Sequence, residues 1–223
     1  MIGKGYENML KEIAQWKSVR KFSSEPVTKD QLLSIMQAGR RSPSWKNIQP
    51  WRFIAVTDEK DRTKLAEAFS MGVLIKKAPA VIMCVGTLEA WVKDHQLARL
   101  KELFGATGVN MADEDIKKMY LDHELAQSLA GKPASIMART FENIGIAYAF
   151  MILEAMHQGL GACIVGELDN ELVAVNDQKY AEIKSYFNIS ETEVITAAII
   201  VGHPAKETPI IPRKPEKDVI FFK

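Results

Sequence analysis

Apolar positions recur along this chain with two periods, and their alternation predicts a mixed helix and strand fold. Met9, Leu10, Ile13 and Trp16 share one side of a helix running from Glu7 to Trp16. Thr28-Lys29-Asp30-Gln31 has the form of a capping box and starts a helix that carries Leu32, Leu33, Ile35 and Met36 up to Gly39. Trp51 to Thr57 reads as a strand, and Asp58 caps the next helix, through Leu65 to Phe69. Pro79 to Gly86 is apolar without alternation, which marks a central strand covered on both faces. Helical patterns follow at Leu88 to Phe104 and Glu114 to Ala130, separated by a loop containing Gly and Asn. A long helix runs from Pro133, suited to a first turn, to Gln158, with Gly159 as its stop. Its middle, Ile144 to Ile152, is apolar nearly all round and calls for burial on most sides, by its own sheet or a partner subunit as well. Gly161 to Val165 and Val194 to Gly202 complete the strands, with a helix from Lys179 to Phe187 between them.

After Pro204 the pattern changes. Pro204, Pro209, Pro212 and Pro215 favour an extended chain, and Val219-Ile220-Phe221-Phe222 is strongly apolar. Left in solvent, such an end is a liability. It is expected to end as a strand, either on its own domain or on a second subunit.

Bulk properties narrow the class without choosing within it. The 223 residues suffice for one large domain with a substantial core. Lys plus Arg number 29 against 28 Asp plus Glu, so no general attraction to nucleic acid or an anionic membrane is expected. Cys84 and Cys163 both lie in apolar runs, which favours reduced core thiols and a cytoplasmic location. Met1 to Leu10 is polar where a signal peptide is apolar, and the run from Ile144 to Leu153 is about half of a bilayer span.

The densest chemistry lies in Arg41-Ser42-Pro43-Ser44-Trp45-Lys46-Asn47-Ile48-Gln49-Pro50-Trp51. Two prolines make it a stiff turn rather than a helix. Ser44, Asn47 and Gln49 offer hydrogen bonds, and Trp45 and Trp51 offer flat apolar faces, a surface suited to a planar heterocycle with polar edges. The same residues also suit an ordinary connection in which Trp51 opens the core of the next strand. Upstream, Trp16-Lys17-Ser18-Val19-Arg20-Lys21-Phe22 gathers cations and a hydroxyl suited to a phosphate, or to a solvated helix end.

Taken together, Lys17-Ser18-Val19-Arg20-Lys21-Phe22, then Pro26-Val27, then Pro43 to Trp51 resemble the nitroreductase family of flavin enzymes. The resemblance implies an α+β fold with a central, mostly antiparallel sheet flanked by helices, forming a single domain over residues 1–223. It also implies an intertwined homodimer whose segment 204–223 extends onto the partner, and FMN held at the dimer interface. Lys17, Ser18 and Arg20 take the positions that contact the phosphate and pyrimidine edge, and Arg213 matches a late basic residue on the phosphate. Pro43, Ser44, Trp45 and Asn47 match the segment laid on the flavin by the other subunit. Gly159 to Glu167 resembles the Gly-rich strand and loop near N5, with Ile164, Gly166 and Glu167 as the residues whose backbone approaches the ring.

The implied activity takes a hydride from NADH or NADPH and passes two electrons, in ping-pong fashion, to a nitroaromatic, quinone or similar small acceptor. Divergent branches of the family perform reductive dehalogenation or flavin cleavage instead, and a non-catalytic flavin-binding protein is the more distant alternative. No side chain is assigned a catalytic role. Residues 88–132 correspond to a helical, lid-like insertion over the flavin; Trp91, Phe104, Met111, Met119 and Tyr120 there suit either a pocket or plain core. His95, His123, His157 and His203 show no metal-ligand spacing, and no G-x-S-x-G elbow or Rossmann fingerprint occurs.

Overall fold

The apolar run Ala80–Thr87 forms β2, which pairs on both sides within a four-stranded antiparallel sheet. A computed structural model describes residues 8–124, 126, 132–166 and 177–223 of the chain. The strand order is β1-β2-β4-β3, where β1 is Trp51–Val56, β3 is Gly161–Val165 and β4 is Glu193–Gly202. Because β2 and β4 are central, helices must cover both their faces, and neither strand alternates with polar residues.

The period of two still sorts their side chains between the faces. Val81, Met83, Val85, Ile195, Ala198 and Ile200 turn to one layer with Leu65, Ile75 and Ile183. Ala80, Ile82, Cys84, Ile199 and Val201 turn to the other, with Leu32, Ile35, Ile144, Met151 and Ala155. The first layer is built from α3 (Glu59–Ala66), α4 (Gly72–Lys77) and a later helix, Asp177–Tyr186. The second is built from α2 (Lys29–Arg40) and the long helix Pro133–His157. With α1 (Lys11–Ala14), α5 (Lys93–Ala106) and α6 (Asp113–Ile116), the long helix becomes α7 and Asp177–Tyr186 becomes α8.

Local signals act as their chemistry dictates. Thr28 and Gln31 form a reciprocal capping box at 3.2 and 2.9 Å, and Asp58 accepts from the Lys60 and Asp61 amides at 2.8 and 3.2 Å. Both cysteines are buried and unpaired, and burial pushes the Cys84 thiol far up. By length and composition α7 alone among the described helices could cross a membrane. Here it packs on α2 and the sheet through Ile144, Ala147, Met151 and Ala155, while Ile146 and Phe150 stay exposed.

Several expectations need correction. Of the helix predicted from Glu7 to Trp16, the described part is the single turn Lys11–Ala14, because the chain must turn out at Trp16 to run along β3. The helix expected from Leu88 to Phe104 is broken. Leu88–Trp91 is a 3-10 turn, and the Gln96 side chain donates to the Trp91 carbonyl at 2.6 Å where the two pieces meet. The described part of the helix expected from Glu114 is α6, followed by a π turn at Lys117–Leu121. Helix α4 was not anticipated, being only six residues with an apolar centre and two lysines. The tail end forms no strand on its own domain: after a 3-10 turn at Glu216–Asp218, Phe221 and Phe222 are 73% and 95% exposed.

Edge strand β1 is fastened to β4 across β2 by Arg52, whose guanidinium meets the Glu193 carboxylate at 2.9 and 2.8 Å. Burial raises the Glu193 carboxyl, but the hydrogen bonds from Arg52 and the Ser190 amide outweigh it and hold it below the usual carboxylate range. A depressed carboxyl stabilises the fold above its ordinary titration range, and that contribution is lost as pH falls through the folded value. Glu193→Gln is therefore expected to lower the unfolding free energy by about 1 kcal/mol at neutral pH, Arg52 being partly exposed. The deficit should close on acidification; urea unfolding across a pH series checks this, and a pH-independent deficit would contradict it.

Candidate cofactor site

Two polar clusters stand at opposite edges of the sheet. The first is the extended segment 17–22, which pairs with β3 at Ser18 and Val19 and then with the chain just past β4. Ser18 bridges Ala162 in parallel, the Val19 amide donates to the Ala162 carbonyl at 2.9 Å, and Phe22 bridges Pro204. Glycine makes this possible: a Cβ on Gly161 would lie 2.6 Å from Val19 Cβ, and one on Gly202 would lie 2.8 Å from Phe22. With Val19 buried and Phe22 in the core, Lys17 and Ser18 are half-buried and Arg20 is exposed. Among the described residues, Lys17, Arg20 and Lys21 make no ion pair with a carboxylate. Ile164 and Gly166 lie on the same edge, both exposed; among the described residues, only Ile164 Cγ2, at 3.9 Å, comes near a Cβ placed on Gly166.

The second cluster is the loop 43–50 that feeds β1. Lys46, Asn47 and Gln49 all hold positive φ, at 50°, 56° and 51°, a region non-glycine residues seldom occupy. Such a backbone persists only where its surroundings over-determine it. Here the Gln49 amide donates to Ser44 Oγ at 3.0 Å, and Gln49 Nε2 donates to Asn47 Oδ1 at 3.1 Å. The Trp45 amide donates to Asn143 Oδ1 at 2.7 Å, from the buried middle of α7. The Trp45 ring lies 5.9 Å from that of Trp91, with Lys46 Nζ 4.1 Å and the Arg139 guanidinium 5.6 Å from its centroid. Pro43 is exposed at the loop's start. Beside the loop a cleft of about 510 Å³ opens along β1, lined among others by Gln49, Trp51, Arg40, Arg52, His95 and Arg99.

The structure thus brings Lys17, Ser18, Arg20, Ile164 and Gly166 to one edge, and Pro43, Ser44, Trp45 and Asn47 to the other. Three strand spacings, roughly 14 Å, lie between β1 and β3. Arg213 joins neither group: it is exposed on the tail, its Nη1 donating to the Ile211 carbonyl at 2.7 Å. Glu167 lies outside the described residues. Trp91 is buried beside Ile48 and Ala90, and its Nε1 donates to Thr140 at 2.8 Å. Phe104, Met111 and Tyr120 pack around Leu100, Ile116 and Leu121 in the insertion, whereas Met119 is exposed.

Residues that hold the loop, Asn143 and Arg139 above all, were not anticipated. Their signal was present as an amide set into an apolar helix, where only a buried partner justifies it.

The Nitroreductase family model matches residues 13–203. An NADH dehydrogenase of Thermus thermophilus is 26% identical over 207 residues, covering 93% of this chain and 92% of that protein. An FMN reductase [NAD(P)H] of Bacillus subtilis is 23% identical, covering 95% of this chain and 72% of that protein. Among solved structures, a nitroreductase family protein from Streptococcus pneumoniae superposes with a TM-score of 0.71 at 18% identity, covering 93% of this chain and 96% of that one.

Because Asn143 Oδ1 is the partner of the Trp45 amide, Asn143→Leu strands a partly buried donor. The expected cost is about 1–3 kcal/mol of stability, with a changed tryptophan emission as Trp45 shifts. Thermal unfolding and fluorescence check this; an unchanged protein by both would contradict the loop's anchoring.

Proposed function

The chain belongs to the nitroreductase family, and on that premise we propose that it is an FMN-dependent oxidoreductase, taking electrons from NADH or NADPH and delivering two at a time to a small aromatic acceptor such as a nitroaromatic or quinone. The observation that carries this reading is the pair of clusters: unpaired cations on the β3 edge, and a strained loop of hydrogen-bonding and aromatic groups on the β1 side.

The residues present suit FMN. Lys17, Ser18 and Arg20 would grip the phosphate and pyrimidine edge, since cations without carboxylate partners are what a dianion requires. Arg213 would join them through a movement of the tail. Ile164 and Gly166 would present backbone to the ring, because among the described residues nothing crowds Gly166 more closely than Ile164 Cγ2 at 3.9 Å. When bound, FMN supplies the reversible hydride chemistry that no amino-acid side chain offers. The chain's own part is to hold the ring, place cations near its pyrimidine edge and keep water from its reactive face.

One copy of the chain keeps the two clusters on opposite edges, so this reading includes a homodimer in which the loop of one subunit faces the β3 edge of the other. Two further features support a second copy. Ile146 and Phe150 of α7, with Met9, Leu10 and Ile13, leave an apolar stripe in solvent. The β3 edge is partly paired by Ser18 and the Val19 amide, whereas among the described residues no strand pairs with the outer edge of β1. The partner's tail, 204–223, laid along β1 would cover that edge and the apolar end together. Its Glu216 and Asp218 would meet the cations Arg40, Arg52 and Arg99 of the cleft.

An anaerobic visible spectrum tests the activity. The expected result is a flavin band near about 450 nm that NADH or NADPH bleaches and an added quinone restores. A protein that cannot be reconstituted with FMN would overturn the reading. Arg20→Ala combined with Arg213→Ala should release the flavin on gel filtration, each lost charge-assisted contact being worth about 1.5–3 kcal/mol. Retained absorbance would contradict their placement at the phosphate.

A further inference from the structure

Lys46 stands between two parts of the molecule that the sequence keeps far apart. Its Nζ donates to the Tyr120 carbonyl at 2.6 Å and lies 4.1 Å from the Trp45 ring centroid and 5.8 Å from that of Tyr120. The acceptor it finds lies in the last turn of the π segment Lys117–Leu121, where carbonyls have no ordinary helical partner. Among the described residues no carboxylate forms an ion pair with it; a carbonyl and two ring faces serve instead. Burial alone holds its ammonium below the usual lysine range, so the contact is partly shielded from water.

The far side of this contact is not a loose loop. Residues 93–122 have their own apolar centre in Leu100, Ile116 and Leu121. They are tied internally by Lys101 to Asp113 at 2.7 Å and Lys93 to Asp122 at 2.5 Å. With this shared apolar centre, a tether at Tyr120 would act on the segment as a whole. The near side is the strained turn that carries Trp45 and Asn47, with Lys46 itself at φ 50°.

We propose that Lys46 is a positioning residue that holds the helical insertion 88–124 against the loop 43–50 and so sets the width of the site on its acceptor side. The positional claim stands on these contacts alone; its consequence for the acceptor rests on the flavin oxidoreductase reading above.

Two variants and two readouts test it on the full-length protein. Lys46→Met keeps the stem against the rings and removes the donor and the charge; Lys46→Arg keeps both and can stack on Trp45. Hydrogen–deuterium exchange of peptides spanning 113–124, with and without added FMN, should quicken about tenfold in Lys46→Met, the scale of one lost charge-assisted hydrogen bond. It should return most of the way in Lys46→Arg. Unchanged exchange in Lys46→Met would overturn the proposal. In the FMN-loaded protein, the KM for p-benzoquinone should rise about fivefold in Lys46→Met while the rate of flavin bleaching by NADH stays within about twofold. Slower bleaching with an unchanged quinone KM would mean that Lys46 acts on the flavin side, and would also overturn it. A wild-type protein that binds no flavin would defeat the functional reading, yet the exchange result would still decide whether Lys46 holds the insertion.

Discussion

The sheet keeps its two chemical edges apart. Pairing of β2 with β1 and β4, and of β4 with β3, is dictated by apolar runs that have no other way to satisfy their backbone, and it leaves roughly 14 Å between the edges. The two clusters of the candidate site inherit their positions from that spacing. The cations of segment 17–22 hold their place because Gly161 lets Val19 close upon β3 and Gly202 lets Phe22 close upon the end of β4. The loop 43–50 stays at the β1 side because Asn143 and the Trp45–Trp91 contact hold it there. In the proposed homodimer, a ligand would meet one cluster from each copy of the chain.

That constraint makes sense of features that look unfavourable in one subunit. The stripe of Ile146 and Phe150, the β1 edge left unpaired by the described residues, and the exposed Val219 to Phe222 are three surfaces that a solitary domain would be expected to avoid. A homodimer that builds the site would cover them by the same association. Binding of the cofactor and burial of apolar surface would then reinforce one another, since a ligand held by both subunits favours the associated state by mass action.

Much of the fold was legible because its signals are local. The Thr28 and Gln31 capping box, the Asp58 cap and the unbroken apolar runs of β2 and β4 each act within a few residues. The breaks were not legible, for the opposite reason. Leu88–Trp91 reads as helix until Trp91 is seen to bury its ring beside Ile48 and to donate to Thr140, contacts from elsewhere in the chain that override a propensity worth only tenths of a kcal/mol per residue. The π turn at Lys117–Leu121 likewise has no pattern of its own. In the candidate site, residue type and order single out candidates, whereas the groups that hold the loop, Asn143, Arg139 and the Tyr120 carbonyl, carry no such mark. A carbonyl has no signature in a sequence, and Asn143 stands out only once its helix is known to be buried.

Subunit mixing tests most directly whether the site is composed from both edges. One variant would carry Arg20→Ala and Lys17→Ala on the β3 edge; the other would carry Ser44→Ala and Asn47→Ala in the loop. Each alone should bind FMN poorly. Mixed dimers formed by refolding the two together should regain flavin in one of their two sites, because one site then draws both clusters from unaltered surfaces. Failure to regain any flavin, although mass measurement shows that mixed dimers have formed, would contradict a site shared between subunits.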